Sequence, residues 1–164
     1  MNKAYLLTGG NIGNRTEYLK QASAMIAERL GKLVEESSIY ETEPWGVTGQ
    51  SPYLNQVLLL HTSLLPNQLL DAVLSIEHTL GRERNEKFGA RTIDIDLLLF
   101  NDAVIHDPGL SVPHPQLAHR RFVLTPLAEI AGDVVHPVYN KTISALLEEC
   151  KDSLKVNKLT GVFP

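Results

Sequence analysis

The sequence predicts an α+β fold of the ferredoxin-like type, βαββαβ in order, with an antiparallel sheet that carries both helices on one face. Two observations lead there. Two stretches space their apolar residues as amphipathic helices do, and these alternate along the first hundred residues with four apolar, β-branched stretches of strand character. With 164 residues, 43% hydrophobic and 21% charged, the chain fits one globular domain, 1–164, with a real core and no room for a second catalytic domain.

Residues Lys3 to Thr8 form the first predicted strand, ended by the glycine-rich turn 9-GGNIGN-14. Leu19, Ala22, Ile26 and Leu30 then fall on one helical stripe, with Asn14 as N-cap, Glu17 three residues on, and Gly31 as the stop. A second strand is expected over Leu33 to Thr42, a long loop over 43-EPWGVTGQSP-52 and a third strand over 53-YLNQVLLLHT-62. Pro66 opens a helix whose stripe is Leu69, Val73, Ile76 and Leu80, closed by Gly81. The charged loop 82-RERNEKFGAR-91 leads into the strand of 89-GARTIDIDLLLF-100, after which Asn101-Asp102 turns into a short strand near Val104 and Ile105. Helical segments near Val123 to Ile130 and Ile143 to Leu147 complete the chain.

The fourth strand carries the anomaly. Residues two apart in a strand point the same way, so Asp94 and Asp96 project side by side, and strict alternation adds Leu98 and Phe100 to their face. A solvent face would explain the aspartates and leave the leucine and phenylalanine unexplained. Like charges at a half-buried rim repel unless a cation lies between them, and paired carboxylates suit Mg²⁺, which keeps waters and phosphate oxygens as its other ligands. Arg82, Arg84, Lys87 and Arg91 stand within a dozen residues of the pair, and guanidiniums grip phosphate bidentately. Carboxylates flanked by arginines are what phosphoryl transfer requires. The early glycines lack the Lys-Ser/Thr ending of a Walker loop, so this would be nucleotide chemistry without one.

Two further clusters are polar. Tyr53 and Asn55 share a face at the start of the third strand, an aromatic surface beside an amide that both donates and accepts, which suits a flat polar heterocycle. The segment 112-VPHPQLAHRRF-122 offers His114, His119, Arg120, Arg121 and Phe122, a candidate second phosphate patch. The net charge of −4 argues against nucleic acid as a partner. Cys150 is the single cysteine, so no intramolecular disulfide can form; together with an opening apolar run too short for a signal peptide and no stretch of membrane-spanning length, this gives a cytoplasmic expectation with no membrane partner.

These motifs resemble the 6-hydroxymethyl-7,8-dihydropterin pyrophosphokinase family of folate biosynthesis. The resemblance runs through the early GGN turn, 40-YETEPWG-46, 53-YLN-55, 76-IEHTLGRER-84, 89-GARTIDIDLLLF-100, 111-SVPHP-115 and the arginine-phenylalanine segment to Phe122. It implies a three-layer αβα protein with C-terminal helical additions, a single pyrophosphokinase domain acting as a monomer, that transfers pyrophosphate from ATP to the pterin hydroxymethyl group and releases AMP. By the same resemblance, Asp94 and Asp96 would hold two Mg²⁺ ions, and Arg82 and Arg91 would engage the phosphates. Arg84, His114, Arg120 and, less closely, Glu77 and Ser111 would serve the nucleotide. Tyr53 and Phe122 would sandwich the pterin, Asn55 would read its polar edge, and the segment from Thr42 to Trp45 would close the pocket. Phe88 stands where the family often has a loop tryptophan, Leu74 replaces a polar residue and Pro115 an aromatic one. The loops 43 to 52 and 82 to 91 are expected to order over the two substrates. The rival is a ferredoxin-like module binding RNA on its sheet, which calls for aromatic central strands and a basic surface; this chain has aliphatic strands and net negative charge.

Overall fold

The computed structural model describes residues 1–43, 51–81 and 92–160. The elements run β1 (Asn2–Gly10), α1 (Arg15–Arg29), β2 (Lys32–Glu36), β3 (Tyr40–Thr42), β4 (Tyr53–Thr62), α2 (Pro66–Thr79) and β5 (Asp94–Phe100). After them come β6 (Ile105–Asp107), β7 (Leu110–Val112), a short 3-10 turn (Leu117–His119), α3 (Arg121–Ala131), α4 (Ile143–Glu149) and β8 (Val156–Lys158). The main sheet has the order β5-β1-β4-β3-β8, with β2 also paired to β4, while β6 and β7 form a separate hairpin.

The three-layer arrangement follows from which residues each face of the sheet buries. On one face Leu6, Leu58, Leu60 and Ile95 meet Leu19 and Ile26 of α1 and Leu69 and Ile76 of α2. On the other, Leu7, Val57, Leu59 and Leu98 meet Val123, Leu124 and Leu127 of α3 and Ile143 and Leu146 of α4. Each fully buried leucine or isoleucine contributes about 1.5–3 kcal/mol. The central strands β1 and β4, apolar on both sides over most of their length, therefore anchor the sheet, and polar groups are tolerated only at their ends. The helix ends are those the sequence predicts: Asn14 Oδ1 accepts the Glu17 N–H at 3.2 Å, and Pro66 is the first residue of α2. Among the described residues, no helix is long and apolar enough to cross a membrane.

Four expectations need correction. The strand expected over Leu33 to Thr42 is two strands, because buried Ser37 substitutes its side chain for the backbone: its Oγ accepts the Val57 N–H at 2.9 Å and donates to the Ser38 carbonyl at 2.7 Å. Gly9 and Gly10 are not a turn, since β1 continues through both, paired with Asn55 and Leu54. Strict alternation fails in β5. Leu97 faces Leu6 and Leu99 faces Tyr5, so Leu98 is the extra residue of a β-bulge. Leu98 and Leu99 consequently both enter the α3/α4 core, and Phe100 joins Leu97 in the opposite one, not the face of the aspartates. Finally, β7 and β8 were not anticipated; β8 extends the sheet beyond β3.

Candidate active site

The polar ends of β1, β3, β4 and β5 meet on the α3/α4 face. Residues opposite one another in an antiparallel ladder project to the same side. Asp94 lies opposite Gly9, Gly9 opposite Asn55, and Asn55 opposite Tyr40, so one row crosses four strands. The next row is Asp96, Leu7 and Val57, and on the far side Thr42 pairs with Tyr53. Leu7 and Val57 belong to the α3/α4 core, which fixes the side to which the whole set points. Two strand spacings put Asp94 and Asn55 roughly 10 Å apart. Asn55 and Thr42 are buried, while Asp94, Asp96 and Tyr53 are half-buried at the rim. Among the described residues, Thr42 Oγ1 is a buried hydroxyl without a hydrogen-bond partner.

Gly9 is the residue sequence reasoning undervalued. A Cβ at this position would stand 2.2 Å from Asn55 Oδ1 and 2.9 Å from the Leu54 carbonyl oxygen. The Asn55 carboxamide therefore lies across the Gly9 backbone, in space that only glycine leaves open. Carrying the strand alternation past Thr8 would have exposed the requirement.

The outer edge of β5 is held by two side elements. Glu77 of α2 is buried, and its Oε2 accepts the N–H of Ile95, the residue between the two aspartates, at 2.6 Å. It fixes the backbone that aims Asp94 and Asp96. Farther along, the Leu98 carbonyl accepts the His114 N–H at 2.9 Å, which brings the segment after β7 against the strand. His114 Nδ1 accepts the Gln116 N–H at 3.1 Å, so the neutral ring carries its proton on Nε2. Burial, and secondarily the Arg120 charge, push the His114 imidazole below the usual histidine range. The Arg120 guanidinium in turn stands 5.7 Å from the centre of the Phe122 ring. Ser111 lies in β7, opposite His106 in the hairpin.

The structure thus brings His114 against β5, the strand of Asp94 and Asp96, with Arg120 near both His114 and Phe122, and carries Thr42, Tyr53 and Asn55 on β3 and β4 of the same sheet face. Trp45, Arg82, Arg84, Lys87, Phe88 and Arg91 lie outside the described residues, as do most of the two loops expected to order over substrates. Arg121 departs from the expected phosphate patch, because its guanidinium bonds the carbonyls of Cys150 and Asp152. His119 lies exposed against the Tyr139 ring. Tyr40 was not singled out from the sequence. Its hydroxyl donates to Glu129 of α3 at 2.5 Å, and Glu129 also accepts the N–H and hydroxyl of Ser38, which ties α3 across the Asn55 row.

Residues 5–132 match the family described as 7,8-dihydro-6-hydroxymethylpterin-pyrophosphokinase (HPPK). The chain belongs to this family. Its relatives include 2-amino-4-hydroxy-6-hydroxymethyldihydropteridine pyrophosphokinases of Aquifex aeolicus, 41% identical over 91% of this chain and 92% of that one, and of Bacillus subtilis, 46% identical over 81% of this chain and 80% of that one. The crystal structure of wild-type Plasmodium falciparum HPPK-DHPS with SDX-DHP shares the fold at a TM-score of 0.73 and 19% identity. It covers 91% of this chain, which spans 43% of that longer one. HPPK membership decides against the RNA-binding rival.

Proposed function

We propose that Asp94 and Asp96 hold the two magnesium ions with which this HPPK transfers pyrophosphate from ATP to the hydroxymethyl group of 6-hydroxymethyl-7,8-dihydropterin, giving the pterin diphosphate and AMP. The observation that carries the assignment is the common face of Asp94, Asp96 and Asn55, with Gly9 between them. Among the described residues, no group of three or more His, Cys, Asp or Glu could hold a metal. Two rim carboxylates fit an ion that draws its other ligands from water and phosphate. Bound there, magnesium would neutralise charge on the phosphate oxygens and orient the reacting hydroxyl.

The other roles follow from position. Asn55, held flat over Gly9, reads the polar edge of the pterin, whose ring is stacked between Tyr53 and Phe122. The unpartnered Thr42 hydroxyl supplies a further contact in the same pocket. His114, neutral and protonated on Nε2, donates to an ATP phosphate without adding to the Arg120 charge, and Arg120 grips the same chain of phosphates. Arg82 and Arg91 engage the phosphates from the loop before β5, with Arg84 and Ser111 nearer the nucleotide, while Glu77 acts through the β5 backbone. Trp45 and Phe88 close over the substrates from the two loops.

The protein works as a monomer in the cytoplasm. Blunted sheet edges support the monomer: β8 is three residues long and ends in lysine, and exposed Lys32, Glu35 and Glu36 line β2. Chromatography with light scattering measures the mass directly. The decisive assay is AMP formation from ATP and hydroxymethyldihydropterin with Mg²⁺. Asp94→Asn and Asp96→Asn should each lower the rate about a hundredfold or more while leaving the protein folded. Wild-type turnover in either variant would reject the metal assignment.

A further inference from the structure

The segment after α4 touches both walls of the pocket. At one end stands Arg121, the first residue of α3. Its backbone N–H donates to Asp152 Oδ2, its Nε to the Asp152 carbonyl and its Nη2 to the Cys150 carbonyl, each at 2.9 Å. Asp152 Oδ1 accepts the Leu154 N–H at 3.0 Å, so both carboxylate oxygens are engaged. At the other end Val156 pairs with Thr42 in the β3–β8 ladder, and the Leu159 N–H reaches the Ile39 carbonyl at 2.8 Å. Four residue steps separate Asp152 from Val156, which limits the span between the two anchors to roughly 14 Å.

Helix α3 needs this attachment. Its own N-cap residue, Arg120, makes no side-chain cap bond, and the carboxylate of Asp152, 31 positions after Arg121, takes that place. There it satisfies a first-turn N–H and complements the positive end of the helix dipole. Arg120 and Phe122 are the residues on either side of Arg121, so whatever fixes Arg121 fixes both.

We propose that Asp152 is a positioning residue of the pterin pocket: through Arg121 it sets Arg120 and Phe122 at a fixed separation from the wall made by Thr42 and Tyr53. This rests on the pterin stacking between Tyr53 and Phe122. The segment lies beyond residues 5–132, the part matched by the family. Its far anchor, β8, is separated from β5 and the metal pair by β1, β4 and β3. Loss of the strap should therefore act on binding, on the pterin through Phe122 and on ATP through Arg120, with the metal pair on β5 left in place.

The test is steady-state kinetics of the full chain with both substrates varied, alongside melting curves. Asp152→Ala should raise the KM for hydroxymethyldihydropterin about five- to tenfold with kcat within about twofold, as expected for loss of one helix cap transmitted to a binding wall. Asp152→Asn keeps a capping oxygen and should return the KM to within about twofold of wild type. Phe122→Ala runs as the control. If it raises the pterin KM while Asp152→Ala lowers only the melting temperature, the carboxylate is structural alone and the proposal is overturned. If Phe122→Ala leaves the pterin KM unchanged, the stacking assignment falls first and the proposal with it. Should Asp152→Ala fail to fold, Arg121→Lys, which keeps the backbone bond and loses the guanidinium ones, must show a smaller rise in the same KM, and an unchanged value overturns the proposal.

Discussion

Replacing Gly9 with alanine probes the geometry of the site without touching a polar group. Contact begins near 3.4 Å, and the new Cβ would sit 2.2 Å from Asn55 Oδ1 and 2.9 Å from the Leu54 oxygen. The asparagine must withdraw by about 1.2 Å and the carbonyl by about 0.5 Å to restore ordinary contact. The first shift is a side-chain rotation. The second moves the backbone of β4 within its ladder to β1, where Leu54 pairs with Gly10. Overpacking of this kind costs about 1–3 kcal/mol, which for a chain of this size lowers the melting temperature by roughly 3–10 °C. A withdrawn carboxamide also forfeits its bonds to the pterin edge; two bonds at about 0.5–1.5 kcal/mol each weaken pterin binding roughly tenfold. Calorimetric titration with hydroxymethyldihydropterin and a melting curve read both effects. Asn55→Ala removes the obstructed side chain, so adding Gly9→Ala to it should cost little further pterin affinity. Wild-type affinity in Gly9→Ala, with a melting temperature within about 1 °C, would refute the close approach and the role given to Asn55.

Further outcomes concern the scaffold around the site. Tyr40→Phe removes the hydroxyl that reaches Glu129 and should cost about 1–2 kcal/mol by urea denaturation, with Glu129 still bonded to Ser38. Burial first, and then the bond to Glu129 and its charge, push the Tyr40 hydroxyl up to about 12. Its stabilisation is therefore complete below pH 10 and lost as pH rises through about 12, and the variant should show a flatter alkaline limb. Burial raises Glu129, but the bonds from Tyr40 and Ser38 and the Lys158 charge outweigh it and hold the carboxyl below its ordinary range, so its contribution fades under acid conditions. His114 and His136 are both depressed, chiefly by burial. The unfolded chain then takes up protons below about pH 6.5 that the native state refuses, and stability should fall from there toward pH 5. His136 Nδ1 accepts the N–H groups of Val138 and Tyr139; His136→Asn, which can offer an oxygen in its place, should flatten that decline, and an unaltered slope would exclude His136 as its source.

What the sequence disclosed and what it concealed divide along physical lines. The stripes of α1 and α2 and the apolar runs of β1, β4 and β5 were legible because burial on one or two faces imposes its period directly on the residues. Asp94, Asp96, Tyr53 and Asn55 were legible for the converse reason: they are polar where that period calls for apolar. The division of β2 from β3 depends on the rotamer of Ser37, which composition does not record. The bulge in β5 falls within Leu97, Leu98 and Leu99, three identical residues for which every phase looks alike. The attachment of Arg121 to Asp152 joins residues 31 positions apart, and no local spacing encodes it. His114, Arg120 and Phe122 emerged through their motif, and the structure supplied the partners that the motif leaves out.

The extra leucine of β5 has a consequence for how the strand can change. Leu97 lies opposite Leu6 and Leu99 opposite Tyr5, so both ends of the strand keep one phase against β1 although an additional residue lies between them. Side chains at the Phe100 end can be exchanged to suit the α1/α2 packing without rotating the carboxylates out of the pocket. Deleting Leu98 would leave Leu97 opposite Leu6 and Leu99 opposite Tyr5 in an uninterrupted ladder, so the carboxylates and the far end would both keep their sides and the loss would fall on the α3/α4 core, which gives up one leucine. A single inserted residue lets one short strand give two consecutive leucines to the same core while its carboxylates keep their aim.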